Sequence, residues 1–335
     1  MEHNPAGGRP EMMKLFWLMT LTFAIPLQAQ SRNYLYVSNE GGKSITVIDT
    51  RTNKVVRTIP VGQRARGIAA SPDGKRVYAA LSDELAMRES AGDRIAVIDA
   101  LSGKVIARFA SGSDPEQFGV TPDGRRIYAS NEDAGTASAI DVATGKVIGA
   151  MIVGIEPEGV AISPDGHWAY VTAETSNTVS VIDTRTNKVV STFLVDVRPR
   201  AATFSPDGRR AYISAEVGGS ITIVDVAKHQ PIGTISLERG EGKPVGIVVS
   251  HDGKWLYAAN GRTSTVSIVD LTKGAVAGTV RVGRRPWGIA LSRDGTRLYT
   301  ANGLSNDVSV IDVASRKVIA TIKVGARPWG VALPR

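Results

Sequence analysis

The sequence predicts an all-β fold, a seven-bladed β-propeller of four-stranded blades that occupies residues 30–335. One observation is a ladder of tyrosines that recur 42–50 residues apart and include seven of the eight tyrosines in the chain. A second is a ladder of aspartates in "VID"-like strings at matching intervals. A third is that no helical periodicity lies between them, which favours propeller blades over a solenoid. The tyrosines are Tyr36, Tyr78, Tyr128, Tyr170, Tyr212, Tyr257 and Tyr299, and the aspartates are Asp49, Asp99, Asp141, Asp183, Asp225, Asp270 and Asp312.

Each repeat is predicted to form four short strands, A to D. Strand A is "GIAAS"-like and ends in a turn such as "SPDG", where Pro and Asp favour the early positions and Gly supplies the positive φ. Strand B is "RVYAA"-like and strand C alternates as "SITVID". Strand D is "KVVRTIPVG"-like and follows a "DTRTNK"-type turn. Insertions in blade two, at 82–93, and in "LERGEGKP" lengthen the period locally.

The two ends of the chain are predicted to share one blade. The first unit opens at strand B with "NYLYVSN", and the chain finishes on "PWGVAL", a copy of the strand A sequence 42 residues earlier. Seven complete blades form only if Trp329–Leu333 pairs beside Asn33–Ser38. Such a closure removes the free sheet edges that an open ring would expose.

Residues 1–29 differ from the repeats and predict a secretory signal peptide. Lys14 precedes the apolar run "LFWLMTLTFAIPL", and "QAQ" offers cleavage after Ala29. A run of about 13 apolar residues is too short to cross ~30 Å of hydrocarbon, so no stable membrane span is expected after cleavage. The predicted location is the periplasm or the outside of the cell.

The composition limits the possible chemistry. The chain contains no cysteine, which excludes disulfides, thiolate metal sites, iron–sulfur clusters and c-type haem attached through cysteine. Its formal net charge is +8, and this excess favours anionic ligands or acidic protein surfaces.

Over almost its whole mature length the chain resembles the YVTN-type repeat propellers of exported bacterial proteins. More narrowly, it is similar to the PQQ-dependent catabolism-associated β-propeller proteins. The likeness is carried by "VGQRARGIAASPDGKRVYAA", "SGSDPEQFGVTPDG", "GIEPEGVAISPDG", "VDVRPRAATFSPDGRRAYISAEVGGSITIVDV", "NGLSNDVSVIDV" and "VGARPWGVAL". The resemblance implies a periplasmic protein associated with pyrroloquinoline quinone (PQQ)-dependent alcohol oxidation, without an established catalytic role. The insertion at 82–93 departs from the compact blade pattern.

Both ladders are interpreted as structural. A tyrosine in every blade suits inter-blade packing, and an aspartate before a tight turn accepts hydrogen bonds from the N–H groups of that turn. His167, His229 and His251 fall in separate blades, so the histidines form no multi-histidine metal site. No nucleophile elbow, HExxH or phosphate-binding loop occurs in its required setting. The sequence therefore predicts no catalytic residue and no cofactor.

The variable positions lie where the D–A and B–C loops are expected to meet around the central channel. The D–A loops share the frame V-G-x-x-P-x-G, and its two charged or aromatic slots change from blade to blade. Acids in blades three to five, beside Arg198 and Arg200, predict salt bridges between neighbouring loops. Blades six and seven, continuing into Arg64 and Arg66, present arginine and tryptophan. The predicted ligand- or partner-binding residues are Arg64, Arg66, Arg198, Arg200, Lys243, Arg285, Trp287, Arg327 and Trp329.

The leading hypothesis is an exported, non-catalytic binding or scaffold protein. Arginine forks bind carboxylate or phosphate, and an indole face stacks on a planar ring, so a planar anionic small molecule fits this sector. A periplasmic PQQ-dependent dehydrogenase or another acidic protein is the expected protein partner. In the plainer interpretation, the tryptophans plug the channel mouth and the arginines are only solvated.

Two other function classes stay open. A metal-dependent, lactonase-like hydrolase would hold an ion in the central channel, with Glu40, Glu132, Glu174 and Glu216 as hard oxygen ligands suited to Ca²⁺. Single-stranded nucleic-acid binding would use basic charge and tryptophan stacking. Because only two aromatic residues lie beside an acidic sector, the sequence favours nucleic acid least.

Overall fold

The computed structural model describes Met1 and residues 33–83, 90, 92–237 and 241–334. Apart from Met1, the predicted signal peptide over residues 1–29 lies outside the described residues, as do residues 84–89 and 91 of the predicted insertion. The ends of that insertion are joined by hydrogen bonds: Ser90 Oγ donates to Asp83 at 2.7 Å, and the Ser90 N–H donates to Asp93 at 2.7 Å. In the described part of the chain, no helix is long and apolar enough to cross a membrane.

In the described part of the chain, twenty-eight strands form seven four-stranded antiparallel sheets arranged as blades, as the sequence predicts. Blade one contains β1 (Tyr34–Asn39), β2 (Ser44–Asp49) and β3 (Lys54–Pro60), together with the last strand of the chain, β28 (Pro328–Ala332). Blade two contains β4 (Arg64–Ala70), β5 (Arg76–Ser82), β6 (Arg94–Asp99) and β7 (Val105–Ala110). Blade three contains β8 (Pro115–Val120), β9 (Arg126–Asn131), β10 (Thr136–Asp141) and β11 (Lys146–Ile152).

The other four blades repeat this order without interruption. Blade four contains β12 (Pro157–Ile162), β13 (Trp168–Ala173), β14 (Thr178–Asp183) and β15 (Lys188–Leu194). Blade five contains β16 (Pro199–Phe204), β17 (Arg210–Ala215), β18 (Ser220–Asp225) and β19 (Gln230–Ser236). Blade six contains β20 (Pro244–Val249), β21 (Trp255–Asn260), β22 (Thr265–Asp270) and β23 (Ala275–Arg281), and blade seven contains β24 (Pro286–Leu291), β25 (Arg297–Asn302), β26 (Asp307–Asp312) and β27 (Lys317–Lys323).

The C-terminal strand completes blade one. β28 pairs antiparallel with β1, with Tyr36 opposite Ala332 and Val37 opposite Val331. Trp329, which lies on β28, is only 8% exposed. The ends of the polypeptide therefore hold the ring together through main-chain hydrogen bonds and a buried indole.

The tyrosine ladder packs between neighbouring blades. All seven tyrosines are at most 6% exposed. Several hydroxyl groups reach the C–D turn of the next blade: Tyr36 donates to the Ala100 carbonyl at 3.0 Å, and Tyr170 is bonded to His229 Nδ1 at 2.8 Å. The aspartate ladder closes the C–D turns. In blade three, for example, Asp141 accepts the N–H of Thr144 at 2.8 Å, which lowers the carboxyl pKa. Both ladders thus have the structural roles predicted for them.

The inner strand of every blade contains an irregularity that positions the channel side chains. In all seven blades the register between strand A and strand B shifts near the proline or its equivalent. A β-bulge of this kind turns a side chain out of the regular pleat and leaves an N–H without a ladder partner. The side chain of the residue that follows the proline therefore points in a different direction from that of a residue in a regular strand.

Hydroxyl groups on strand B satisfy these displaced N–H groups and link the blades. The Ala201 N–H donates to Ser214 Oγ at 3.0 Å, and Ser214 Oγ donates in turn to the Val245 carbonyl of the next blade at 2.6 Å. Blade four uses Thr172 in the same way, between the Gly159 N–H at 2.8 Å and the Arg200 carbonyl at 3.3 Å. Ser38 and Ser130 make equivalent bridges from blades one and three.

Neighbouring inner strands approach closely at the same level. A Cβ atom added to Gly288 would lie 2.7 Å from the Trp329 carbonyl oxygen, closer than real Cβ atoms come to such an atom. The same is true of Gly159 against the Arg200 carbonyl, where the distance would be 2.3 Å. Glycine at these positions therefore allows adjacent blades to pack around a narrow channel.

We expect removal of residues 327–335 to lower the melting temperature strongly, by more than 10 °C. The truncation leaves β1 as an open edge and removes Trp329, and loss of a buried tryptophan side chain alone costs about 3–5 kcal/mol. Thermal melts followed by circular dichroism measure the change. A matched truncation that removes only Pro334 and Arg335 leaves β28 intact and should melt with the full-length protein; equal melting of both truncations and the parent contradicts closure by β28.

Candidate functional site

The candidate site is a cavity of about 270 Å³ at the end of the central channel where the D–A and B–C loops meet. Five glutamates and five arginines line it, together with two tryptophans, so the lining is close to electrically neutral when every group is ionised. The charged and aromatic lining residues are Glu40, Arg66, Glu116, Glu132, Glu158, Glu174, Arg198, Arg200, Arg285, Trp287, Arg327 and Trp329.

The loops around the cavity are built on a repeated backbone contact. The residue before each D–A proline presents its carbonyl to the first residue of the adjoining B–C loop. The Glu174 N–H donates to the Glu156 carbonyl at 2.9 Å, and the Gly303 N–H donates to the Arg285 carbonyl at 2.9 Å. This contact holds the two kinds of loop together at a fixed height above the inner strands.

The residue before the proline has left-handed backbone geometry in six blades. In none of them is it glycine, although glycine adopts this geometry with the least strain. The φ values lie between 45° and 62°. The residues are Asp114, Glu156, Arg198, Lys243, Arg285 and Arg327.

Arg200 is the centre of a buried cluster on one side of the cavity. Its guanidinium contacts Glu158, lies 2.6 Å from Glu174 and lies 2.7 Å from Glu216. Its side chain is only 8% exposed. Arg198 adds a second cation, 3.1 Å from Glu174 and 3.6 Å from Glu216. Salt bridges between the loops of blades four and five, expected from the sequence, are therefore present.

Arg66 is the centre of a second cluster across blades one to three. Its guanidinium contacts Glu116 and lies 3.1 Å from Glu40 and 3.4 Å from Glu132. Glu116 is almost completely buried, with 1% of its side chain exposed. One guanidinium thus neutralises carboxylates from two different blades and joins them across the loops.

Arg64 lies outside the cavity, in a similar ion pair. It is 2.8 Å from Asp114 and donates to Ser82 Oγ at 3.1 Å. The prediction that the anion-binding sector continues from blades six and seven into Arg64 and Arg66 is therefore corrected. Acids from blades one and three already pair with both arginines, which leaves Arg285 and Arg327 as the exposed cations at the cavity.

Burial changes the proton affinity of the acids. Burial raises the pKa of Glu132 to about 7, against the lowering effect of Arg66 and with help from Asp114 and Glu174. Burial also raises the pKa of Glu158, although Arg200 opposes it. For Arg200, burial acts to lower the pKa, but the surrounding glutamates outweigh it and raise the pKa. Near neutral pH, the cavity charge therefore depends on the protonation of Glu132.

The tryptophans form an aromatic wall of the cavity next to the Arg200 cluster. The Trp287 and Trp329 ring centroids are 5.8 Å apart, with the rings inclined at 45°. The guanidinium carbon of Arg285 lies 4.8 Å from the Trp287 ring centroid, and that of Arg200 lies at 5.4 Å. Trp329 is buried, and Trp287 already contacts two guanidinium groups. The pair therefore does not present two free faces on which successive nucleic-acid bases would stack.

The cavity brings together seven of the nine predicted binding residues, with Arg64 and Lys243 outside it. Lys243 Nζ instead donates to the Val217 carbonyl at 2.8 Å. Glu116 and Glu158, the most buried acids of the cavity, are not among the predicted binding residues, because the sequence interpretation assigns the acids of blades three to five to salt bridges. Both occupy the slot after the proline in the D–A frame, the same slot that contains Arg200 and Trp287, so slot position is the signal that identifies them.

The acids nearest to a metal-binding arrangement are not the predicted set. Oxygen atoms of Asp114, Glu116 and Glu132 lie within 4.8 Å of one another, whereas Glu40, Glu174 and Glu216 do not belong to this group. Arg66 contacts Glu116 and Glu132, so a guanidinium occupies the position that a cation would take. The described geometry fits an ion-pair network better than a Ca²⁺ site.

Among the described residues, no histidine lines the cavity. His167 Nδ1 is 3.1 Å from Asp165, and His229 contacts Tyr170 and Trp168. These residues belong to the A–B and C–D turns on the other face. They leave the cavity with carboxylates, guanidinium groups and indoles as its functional groups.

The comparisons with known proteins agree with the observed architecture. Residues 193–321 match a family model described as lactonase, seven-bladed β-propeller, and residues 49–193 match one described as choice-of-anchor I domain. The fold is that of a seven-bladed β-propeller. No curated protein has a matching sequence.

Several solved propellers are similar in structure. Hydrazine synthase of Kuenenia stuttgartiensis has a TM-score of 0.75 at 24% identity, covering 84% of this chain and 93% of that one. A functionally unknown protein from Desulfotomaculum acetoxidans has a TM-score of 0.77 at 20% identity, covering 90% and 99%. A putative 6-phosphogluconolactonase from Bacteroides uniformis has a TM-score of 0.73 at 20% identity, covering 90% and 99%. At these identities the likeness concerns the propeller fold alone.

We expect Arg200→Met to destabilise the propeller by about 3–5 kcal/mol near pH 8, because it leaves Glu158, Glu174 and Glu216 buried without their main countercharge. Burial raises the pKa of Glu158, so protonation of this residue removes part of the uncompensated charge and the loss should shrink as the pH falls towards 5. Urea unfolding at both pH values measures it. Arg285→Met is the control, since Arg285 is exposed and its replacement should stay within about 0.5 kcal/mol. Equal losses for both variants, or a loss independent of pH, contradict this account of the cluster.

Proposed function

We propose that this propeller is an exported binding protein whose channel cavity holds a planar, carboxylate-bearing small molecule. PQQ is the first candidate ligand, and a dehydrogenase that uses it is the candidate partner. Support comes from the resemblance of the loop strings to those of PQQ-dependent catabolism-associated propellers and from the cations at the cavity. A cavity of about 270 Å³ suits a ligand of a few fused rings.

The observation that carries the proposal is that Arg285 has no carboxylate partner among the described residues. Among the described residues, no carboxylate lies within ion-pair distance of its guanidinium, which rests over Trp287. The other cavity arginines all have such a partner; even the exposed Arg327 lies 3.6 Å from Glu40. A guanidinium with free donors beside an indole wall is a chemical match for the carboxylate of a flat ligand.

The buried acids favour binding at lower pH. With Glu132 protonated, the cavity lining carries a net positive charge, because five arginines then face at most four ionised glutamates, and burial also raises the pKa of one of these, Glu158. An anionic ligand gains from that change and in turn raises the pKa of Glu132 further. Ligand affinity should therefore increase as the pH falls through about 7.

We expect PQQ to bind the mature protein, with affinity several-fold higher at pH 6 than at pH 8. Arg285→Gly should weaken binding about tenfold or more, since an arginine–carboxylate bond contributes about 1.5–3 kcal/mol. Glycine also relieves the left-handed backbone at φ 54°, so the variant should fold at least as well as the parent. Isothermal titration calorimetry measures affinity, and thermal melts check folding.

Arg316→Gly provides a matched control. Arg316 also has left-handed geometry, at φ 56°, and also lies over a tryptophan, Trp255, but it belongs to a C–D turn on the other face. Its replacement should leave PQQ affinity unchanged. The proposal fails if PQQ gives no heat above buffer, or if both glycine variants weaken binding equally.

A second candidate function is hydrolysis of a lactone. It is favoured by the match of residues 193–321 to the lactonase model, together with a cavity glutamate whose pKa of about 7 suits a general base. In this scheme Glu132 accepts a proton from the water that attacks the lactone carbonyl, and Arg285 or Arg327 stabilises the oxyanion of the tetrahedral intermediate. When the intermediate collapses, the ring C–O bond breaks and Glu132 returns the proton to the departing ring oxygen, which gives the hydroxy acid.

We expect this second function, if present, to appear as hydrolysis of glucono-δ-lactone above the spontaneous rate. Glu132→Gln should then lower kcat at least 100-fold, because general-base catalysis contributes about 10²–10⁴. Glu241→Gln alters an exposed acid paired only with Arg262 and serves as the control. A rate equal to the spontaneous one, or a Glu132→Gln variant as active as the parent, excludes this candidate.

A further inference from the structure

The rim of the cavity carries an exposed apolar strip on one side, whereas the exposed Leu304 in blade seven is not part of such a strip. Its side chains belong to the ends of the D strands and to the loops of blades three to five. They are between 47% and 84% exposed. The apolar strip consists of Ile152, Ile155, Leu194, Val197 and Val217.

The strip is not a general feature of the repeat. Blades three and four end their D strands with Ile152 and Leu194, whereas the other blades have Pro60, Ala110, Ser236, Arg281 and Lys323 there. The loop position of Ile155 and Val197 contains Gln63, Ser113, Arg284 or Ala326 in four other blades. Exposed valine and isoleucine elsewhere on the outer strands recur around the ring, which is typical of β-strands.

Hydrogen bonds show that the strip is continuous across two blades. The Ile155 N–H donates to Ser176 Oγ at 2.7 Å, and the next residue along that loop, Asn177, accepts the Arg198 N–H at 2.8 Å. Val197 in turn accepts the Gly218 N–H at 3.0 Å, beside Val217. The apolar side chains therefore surround one B–C loop and reach the next.

The other side of the rim is cationic. The cationic arc consists of Arg281, Arg284 and Lys323, all exposed and outside the cavity lining. The Arg284 guanidinium donates to the Leu304 carbonyl at 3.0 Å. Neither Arg281 nor Arg284 has a carboxylate within ion-pair distance among the described residues, and Lys323 is paired with Asp307 at 3.1 Å. This half of the rim thus presents positive charge with little internal compensation.

We propose that this rim docks an acidic protein that carries an apolar patch next to its carboxylates. The patch covers the apolar strip, the carboxylates meet the cationic arc, and the partner closes over the cavity. Burial of apolar surface supplies affinity, and the opposite charges fix the orientation of the partner. The inference goes beyond the proposed small-molecule site and does not depend on it, because none of these residues lines the cavity.

The distribution of the two surfaces favours a protein over a lipid membrane. A membrane-binding face places basic and apolar side chains together, because every part of a bilayer surface offers both headgroups and acyl chains. Here the apolar strip belongs to blades three to five and the cationic arc to blades six and seven. A partner with two chemically distinct halves matches that separation.

The experiment places a photo-crosslinking benzoylphenylalanine at Leu194 or Arg284 of the full chain in the cells that make it. We expect one acidic protein to be attached at both positions. Ile106, another exposed apolar residue, near the start of β7, and Arg209, in an A–B turn on the other face, are the control positions and should give no adduct. The captured protein is then purified and titrated against the propeller.

The variants give the quantitative outcome. Leu194→Asp and Arg284→Glu should each weaken binding of the purified partner at least tenfold, whereas Ile106→Asp and Arg209→Glu should leave it unchanged. PQQ titration of Leu194→Asp, run in parallel, should match the parent. Failure of PQQ binding with intact crosslinks overturns the proposed function alone.

The docking proposal itself is overturned by any of four results. The first two are that no adduct forms at Leu194 and Arg284, or that the control positions give adducts in equal yield. The other two are that the adducts contain only another copy of this chain, or that the Leu194→Asp and Arg284→Glu variants both bind the partner as tightly as the parent does. Binding of the propeller to phosphatidylglycerol vesicles that is abolished by the same two variants would identify a membrane surface instead and equally overturns it.

Discussion

One kind of hydroxyl bridge, repeated between adjacent blades, fixes the inner strands of this molecule relative to one another. Where the inner strand bulges, a main-chain N–H loses its ladder partner, and a buried N–H must be satisfied. Ser214 accepts that N–H from Ala201 and donates to the carbonyl of Val245 in the next blade. The bond that repairs one strand therefore also sets the position of its neighbour. Because Thr172 bonds the carbonyl of Arg200 in this way, a charged cavity side chain is attached to the rigid inner ring rather than to a mobile loop.

That rigidity explains how the channel tolerates so many buried charges. A buried ion pair is stable only when its geometry leaves few hydrogen-bonding positions unsatisfied. Arg200 is surrounded by three glutamates and Arg66 by three others, although one buried oxygen of Glu116 has no hydrogen-bond partner among the described residues. Blades six, seven and one have Val245, Trp287 and Trp329 at the equivalent slot. The ring therefore combines an ion-paired half, in which acids outnumber arginines, with an apolar and aromatic half, and Arg285 lies at the boundary between them without a carboxylate partner among the described residues.

The fold could be predicted from the sequence because repetition shows it many times over. Tyrosine and aspartate each perform one structural task seven times, and the terminal "PWGVAL" identifies the shared blade. Most of the cavity could also be found, from the variable slots of one loop frame. The pairing of the charged side chains could not be predicted. Arg66 pairs with Glu40 and Glu132, which belong to the blades on either side of its own, and the spacing of residues in the sequence does not show which side chains meet across blades. Trp287 and Trp329 occur in the same "RPWG" string, yet Trp329 is buried and Trp287 is not fully buried. The difference comes from the residues packed around each indole and not from the local sequence.

The choice of residues at left-handed positions separates structural turns from the cavity rim. In the C–D turns the left-handed position is filled mostly by glycine or asparagine, which adopt that geometry with little strain. These residues are Asn53, Gly103, Gly145, Asn187, His229, Gly274 and Arg316. In the D–A loops at the rim, the residue before the proline has the same geometry in six blades and is charged in each of them, although the B–C loops of this face use glycine at Gly135 and Gly219. A strained position that retains a charged side chain at several places in one ring is typical of a functional surface. The energetic disadvantage is tolerated at the mouth of the channel, where the side chains determine the charge that a ligand meets, and is largely avoided in the turns of the other face.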